Sequence, residues 1–316
     1  MNIAANYPHL ALVAAADWSC NPKKRWLALA TRQEDGKWQA AAPVQVTEPR
    51  SLLADLASLT PQPGAWLLGF DFPIGIPARY AERAGVCSFL EWLLHLGQGV
   101  WSDFFQPARH PGEVSLRRPF YPARHGASQR SHLTSGLGLA WEDLYRQCDL
   151  GKGKRPTAAA LFWTLGARQV GKAAMHGWQH VIQPGLRCQA PAVTLWPFSG
   201  ALHNLLQPAT GVIAEIYPAE YYRMLGVAAG KRKIERRRLN AARLFSYAQK
   251  LELALDASLG DQIERGFPDH QGGDDAFDAI IGLFGMLAAL RQEPALPEPE
   301  DKLIREIEGW ILGQEI

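Results

Sequence analysis

Four acidic residues of this chain stand at the end of, or just inside, segments that are otherwise apolar. They are Asp17, Asp71, Glu215 and Asp278. A carboxylate in an apolar segment costs several kcal/mol unless it is paired or binds a cation. Four such residues, spread over the chain, predict acids that converge on one metal site.

The last of these acids belongs to the run Asp274-Asp275-Ala276-Phe277-Asp278, which opens a long apolar helix. Asp275 and Asp278 are three residues apart and therefore share a helix face, so Asp275 is predicted to be an auxiliary metal ligand. Except for Asp278, which lies inside the apolar helix, these acids also have simpler explanations. Asp274 or Asp275 could cap the helix, Asp17 could end a strand, and Asp71 and Glu215 could pair with buried arginines.

The elements that must position these acids can be predicted from the apolar pattern. Strands are expected at Leu10–Asp17, Trp26–Ala30, Trp38–Val46, Ala65–Phe72 and Gly211–Tyr217, and helices at Ser51–Leu59, 231–256 and Asp274–Leu290. The short links between the first three strands favour an antiparallel meander. Together these elements predict an α/β fold with a mixed sheet flanked by helices.

Residues 78–210 interrupt this order and are rich in Gly, Pro, Trp and His. We expect 1–77 and 211–292 to form the core, and 78–210 to be an inserted, mainly helical subdomain. Its helix candidates lie near 88–97, 138–149, 157–165 and 172–182. An acidic linker with a terminal helix at 301–312 is expected to occupy 293–316.

The order of strands and acids resembles that of the ribonuclease H-like fold. Short motifs also resemble the family catalogued as domain of unknown function 429, predicted nucleases of that fold. These motifs are Ala16-Asp17-Trp18, Phe70-Asp71-Phe72-Pro73-Ile74-Gly75-Ile76-Pro77, Glu215-Ile216-Tyr217-Pro218 and Asp275-Ala276-Phe277-Asp278-Ala279. The last motif is also similar to that of RuvC-type resolvases, and the resemblance spans about residues 10–290.

This resemblance implies a nuclease whose two Mg²⁺ or Mn²⁺ ions lie about 3.5–4 Å apart, one activating water and one stabilising the leaving oxygen. Carboxylates suit such hard cations better than His or Cys. Asp17, Asp71, Glu215 and Asp278 would be catalytic residues and metal ligands, with Asp17 bridging both ions and Asp275 assisting. The expected partner is nucleic acid.

Basic residues supply candidates for binding the phosphates of that partner. Lys172 lies in Gly166–Ala173, which differs from a phosphate-binding loop of the Walker type where Ala173 replaces the metal-binding Ser or Thr. Lys233 and Arg237 belong to the basic run 231–238. Arg118 and Arg124 lie in a loop that also carries aromatic residues. A connecting turn, a solvated helix face and an ordered loop are the respective alternatives.

Composition bounds the remaining possibilities. Hydrophobic residues make up 47% and charged residues 20% of the 316 residues, as in ordinary soluble globular proteins. The four cysteines are far apart, which argues against a zinc site or a disulfide framework and favours the cytoplasm. We find no signal-peptide pattern and no apolar stretch of about 20 residues that would span a membrane.

Two other functions stay open. One is an ATP-dependent phosphotransferase of the actin and sugar-kinase fold, but Trp18-Ser19-Cys20-Asn21-Pro22 stands where that fold has a Gly- and Thr-rich phosphate loop. The other is a non-catalytic binding protein that keeps the fold. The excess of basic residues in 78–210, with 14 Lys/Arg against 7 Asp/Glu, permits an anionic partner without requiring one.

Overall fold

The computed structural model describes residues 3–124, 126, 128–153, 155–165, 170–228, 230–268, 273–292 and 296–316. Its strands are β1 Leu10–Asp17, β2 Trp26–Arg32, β3 Trp38–Ala40, β4 Val44–Gln45, β5 Ala65–Phe70, β6 Ala192–Leu195, β7 Thr210–Glu215 and β8 Leu253–Leu255. Its helices are α1 Ile3–Asn6, α2 Leu52–Leu59, α3 Ala78–Ala84, α4 Phe89–His95, α5 Arg130–Leu137, α6 Val170–Gly177, α7 Gln183–Arg187, α8 Leu202–Leu205, α9 Pro218–Met224, α10 Ile234–Arg238, α11 Ala241–Lys250, α12 Ala257–Arg265 and α13 Gly273–Leu290.

The strands of the described residues form one mixed sheet in the order β6-β7-β5-β1-β2-β3-β8, with β4 beside β2. The meander β1-β2-β3 is antiparallel, whereas β5 runs parallel to β1, and β7 runs parallel to β5. The central strands are apolar at nearly every position because both faces of the sheet are covered. The predicted α/β fold with a mixed sheet and flanking helices is confirmed.

The two faces of the sheet have different covers. On one face, Val13 and Ala15 of β1 pack with the buried side chains of α13. On the other face, Leu12 and Ala14 pack with a cluster supplied largely by residues 72–198. Successive side chains of a strand point to opposite faces of the sheet. Whether a residue stands at an odd or an even position in its strand therefore decides whether it packs against α13 or against the cluster of residues 72–198.

Several predicted elements are wrong in detail. The expected strand 38–46 is divided into β3 and β4, since Pro43 between them has no N–H to donate to a neighbouring strand. The expected helix 231–256 is instead α10, α11 and β8. Asn240 separates the two helices, accepting from the N–H of Ala228 and donating to the carbonyl of Arg236.

The helices expected within 78–210 are found in part. The candidate at 88–97 corresponds to α4, and the candidate at 172–182 lies within a continuous helical segment that runs from α6 through a π-helical turn into α7. The expected helix 138–149 is wrong, because Gly138, with φ 65°, ends α5 and only two 3₁₀ turns follow. No helix occurs in 157–165, and the terminal helix is the single π-helical turn Ile304–Glu308.

The segment 78–210 contributes to the sheet as well as covering it. Its strand β6 pairs in parallel with β7, so the boundary expected after residue 210 falls just inside β7 and separates two paired strands. The division into a core and an inserted subdomain stays a prediction. No helix among the described residues is long and apolar enough to cross a membrane.

Candidate functional site

Asp17 and Asp71 lie side by side at one edge of the sheet. Asp17 ends β1 and Asp71 follows β5 directly, and these parallel strands are in register with Ala16 beside Phe70. The two carboxyl side chains are within hydrogen-bonding reach of each other, a contact that needs a proton on one of them. The backbone N–H of Trp18 also donates to Asp71 Oδ1 over 2.7 Å, which fixes this carboxylate.

Helix α13 brings two further acids to the same place. It packs so closely on β1 that a Cβ added to Gly282 would lie 3.0 Å from the Cβ of Ala15. Asp275 and Asp278, in its first two turns, therefore line the same cavity as Asp17 and Asp71, with a volume of about 730 Å³. The structure thus brings together four of the five predicted metal ligands.

Positively charged side chains share this cavity with the acids. They are Lys24, Lys172, Lys231 and Arg232. The ammonium of Lys231 is ion-paired with Asp278 Oδ2. The hydroxyl of Tyr222 donates to Asp278 Oδ1 over 2.6 Å, so both oxygens of this buried carboxylate have partners.

The four acids are matched in number by the four basic side chains of the cavity, but burial perturbs three of the acids. Burial raises the pKa of Asp17 well above its usual value, and the adjacent Asp71 charge raises it further. Burial also raises the pKa of Asp71 and of Asp275, while Lys231 opposes the rise at all three acids. Asp275 Oδ2 is buried and accepts no hydrogen bond from the described residues.

This donor set fits a hard divalent cation. It offers carboxylate oxygens from two strand ends and one helix, and one of those oxygens has no protein donor. A divalent cation bound among these carboxylates would favour their ionised forms, which burial disfavours. In the described part of the chain, however, no three His, Cys, Asp or Glu side chains form a compact ligand group.

Glu215 does not belong to this cavity, which corrects the prediction that it shares a metal site with the four aspartates. Along β7, Ile213 packs into the cluster formed by residues 72–198, and the alternation of side chains sends Glu215 to the same face. Asp17 follows Val13 and Ala15 to the opposite face, against α13. The sheet therefore separates the Glu215 and Asp17 side chains.

Arg146 satisfies both oxygens of Glu215. Its two terminal nitrogens donate to Glu215 over 2.6 and 2.7 Å, and the backbone N–H of Ile74 donates over 2.7 Å. The same guanidinium also pairs with Asp149, and its side chain is completely buried. Pairing with a buried arginine, the alternative for Glu215, is thus what the structure contains.

The predicted phosphate-binding residues have different positions. Lys172, in the first turns of α6, lines the acidic cavity, whereas residues 166–169 of its glycine-containing segment lie outside the described residues. Lys233 is exposed at the start of α10. Arg124 is exposed in a loop. Neither lines the cavity.

Arg118 and Arg237 hold backbone segments together. Arg118 donates to the carbonyls of Gln106 and Pro107 and is ion-paired with Glu113. Buried Arg237 donates to the carbonyls of Gly266, Lys231 and Phe267. Neither lines the cavity, and their donors are used within the fold.

The sequence-based site residues do not include Lys24, Tyr222, Lys231 and Arg232. Lys231 begins the basic run 231–238, which is predicted to be a helix that contacts phosphates or, alternatively, presents a solvated face. It instead precedes the helix, next to Gly230, whose φ of 106° turns the chain there. This glycine at the start of the run was the available signal that Lys231 lies in a turn.

No protein-family model, curated protein or solved structure matches this chain. The resemblance to the domain of unknown function 429 therefore rests on its short motifs. The functional argument depends on the acidic cavity and the strands that build it.

Proposed function

We propose that this chain is a Mg²⁺- or Mn²⁺-dependent phosphodiesterase that cleaves nucleic acid. The observation that carries the proposal is the convergence of Asp17, Asp71, Asp275 and Asp278 in one cavity that basic side chains also line. Carboxylates suit the metal, and ammonium or guanidinium groups suit the phosphates. A site of one charge sign would serve only one of these two needs.

We further propose that the fold is ribonuclease H-like. In support, the five strands β3-β2-β1-β5-β7 are adjacent in that order, with β2 alone antiparallel to its neighbours. Asp17 and Asp71 stand at the ends of the first and fourth of these strands in chain order. A late helix supplies the remaining acids, as the resemblance implies.

Each residue of the cavity has a distinct part in the proposed reaction. Asp17, Asp71 and Asp278 would hold the metal, assisted by Asp275, and the bound metal would activate water and stabilise the leaving oxygen. The Trp18 N–H and the Tyr222 hydroxyl orient the Asp71 and Asp278 carboxylates.

The basic side chains act on the substrate. Lys24, Lys172 and Arg232 line the cavity as positive charges, placed to attract and orient phosphate groups. Phosphate contacts carry no sequence information, so removing one of these basic side chains is expected to lower the affinity for all sequences alike. The proposed enzyme therefore selects its substrate by the shape of the cavity and of the nucleic acid.

The test is metal-dependent cleavage of single-stranded, duplex, hybrid and branched substrates. We expect cleavage with Mn²⁺ or Mg²⁺, and its loss in the double variant Asp17→Asn/Asp278→Asn. Glu215→Gln is the matched control, since it neutralises a strand-end acid on the other sheet face. Equal cleavage by wild type and the double variant, or none by either, would refute the proposal. ATP binding without cleavage would favour a phosphotransferase.

A further inference from the structure

Lys231 places a positive charge among the acids from a loop outside the sheet. Its ammonium is ion-paired with Asp278, and its charge also acts on Asp17, Asp71 and Asp275. The Lys231 side chain is 37% exposed, whereas that of Asp278 is 7% exposed. One partner of the pair is thus accessible to solvent and the other is held in the protein.

The backbone of Lys231 is fixed although its side chain reaches solvent. Its carbonyl accepts from Arg237, whose Nε also donates to the carbonyl of Gly266 over 2.8 Å. Because the anchor acts on the backbone, the four-carbon side chain can turn about a fixed point. Such a side chain can leave Asp278 without unfolding the loop.

This pair differs from the structural ion pair of Arg146 and Glu215. There both side chains are buried, and a planar guanidinium makes two parallel hydrogen bonds. Lys231 instead places a single, partly exposed ammonium on one oxygen of Asp278. Tyr222 holds the other oxygen, so Asp278 keeps its orientation when the ammonium leaves.

We propose that Lys231 is an exchangeable counterion: it neutralises the acidic cavity before metal binds and moves to a substrate phosphate afterwards. This inference rests on the proposed function. A divalent cation and the ammonium carry the same sign of charge and need the same carboxylate, so binding of one disfavours the other. Once displaced, the ammonium is in reach of an anion brought to the same cavity.

The test compares two variants that remove the same charge. Lys231→Met removes the cavity ammonium, and Lys233→Met removes an exposed ammonium two residues away that does not line the cavity. Mn²⁺ affinity is measured by calorimetry and by electron paramagnetic resonance of the free ion. We expect Lys231→Met to bind Mn²⁺ about 10-fold more tightly than wild type, and Lys233→Met to bind it within about 2-fold of wild type.

The second readout is cleavage at saturating Mn²⁺, where Lys231→Met is expected to lose about 10-fold in kcat/KM despite its tighter metal binding. The proposal is overturned if Lys231→Met binds Mn²⁺ no more tightly than Lys233→Met, if its cleavage is undiminished, or if no variant binds Mn²⁺. If Lys231→Met binds Mn²⁺ more tightly than wild type but neither protein cleaves any substrate, the nuclease function is refuted. The competition between ammonium and metal is then still established. Thermal melting verifies that each variant is folded.

Discussion

Asp17 and Asp71 lie within hydrogen-bonding reach of each other at the ends of two neighbouring parallel strands. Two carboxyl groups so close together cannot both be ionised without a cation nearby, so the pair is held at a cost to stability. Functional sites commonly retain such costs. The pair is therefore the part of the molecule where stability and the proposed metal binding should respond to substitution in opposite directions.

Asp17→Asn is predicted to stabilise the metal-free protein by about 1 kcal/mol, since the amide can donate to Asp71 without adding a charge. The same variant is expected to lose Mn²⁺ binding, because an amide is a poorer ligand for a hard cation. Thermal melting in a chelator and Mn²⁺ calorimetry measure the two effects. A lower melting temperature with unchanged Mn²⁺ affinity would contradict this interpretation of the pair.

Glu215 and Asp71 offer a contrast between two acids at neighbouring strand ends. Glu215→Gln removes one of the two carboxylates that pair with the completely buried Arg146 and leaves Asp149 as its counterion, so we expect a loss of about 1–3 kcal/mol in unfolding free energy through the weakened hydrogen bonds. Its Mn²⁺ affinity should equal that of wild type, because the sheet separates Glu215 from the cavity. Asp71→Asn should lose Mn²⁺ affinity with little loss of stability. Denaturant unfolding measures the unfolding free energy of both variants, and calorimetry measures their Mn²⁺ affinity.

The misplacement of Glu215 shows what the sequence could and could not predict. The strands β1, β5 and β7 and the helix α13 were predictable because long apolar runs are strong signals, and Asp17 and Asp71 follow from parallel strand ends meeting at one sheet edge. The face reached by Glu215 was not predictable, because Val212, Ile213 and Ala214 are all buried. When both faces of a strand are apolar, the residue pattern does not show which side chains point to which face of the sheet.

Short elements and loop charges escaped prediction for a different reason. The strands β6 and β8 have four and three residues, too few for a periodic pattern to emerge. Lys231 reaches the site from the turn after α9, and Tyr222 reaches it because α9 packs on α13. Both placements depend on tertiary contacts. Charges in a basic run look alike in sequence, although Arg237 is buried and Lys233 is exposed.

The contact between α13 and α9 predicts a glycine requirement. A Cβ on Gly285 would lie 2.0 Å from Cγ of Tyr221, whose hydroxyl is held by the carbonyl of Leu312 over 2.7 Å. The ring cannot easily move, so Gly285→Ala is expected to cost about 1–3 kcal/mol in unfolding free energy. The control is Gly260→Ala in α12, where no described atom lies within 4 Å of the added Cβ and alanine favours the helix. Equal melting temperatures for the two variants would contradict the expected clash.

Acid should weaken the packing of α6 against the strand end at Trp18. His176 Nδ1 accepts a hydrogen bond from Trp18 Nε1 over 3.2 Å, and burial, His180 and Arg25 lower the pKa of His176 to about 4. The folded protein thus favours the neutral ring, whereas the unfolded chain protonates near its usual pKa of about 6.5. The stabilisation is complete above pH 6.5 and is lost as the pH falls towards 4.

His176→Gln keeps an acceptor that does not titrate, so its melting temperature should fall less than that of wild type between pH 7.5 and 4.5. The remaining titratable groups are the same in both proteins, so their contributions cancel in this comparison. If the melting temperatures of the two proteins fall in parallel across this pH range, His176 is not the responsible group.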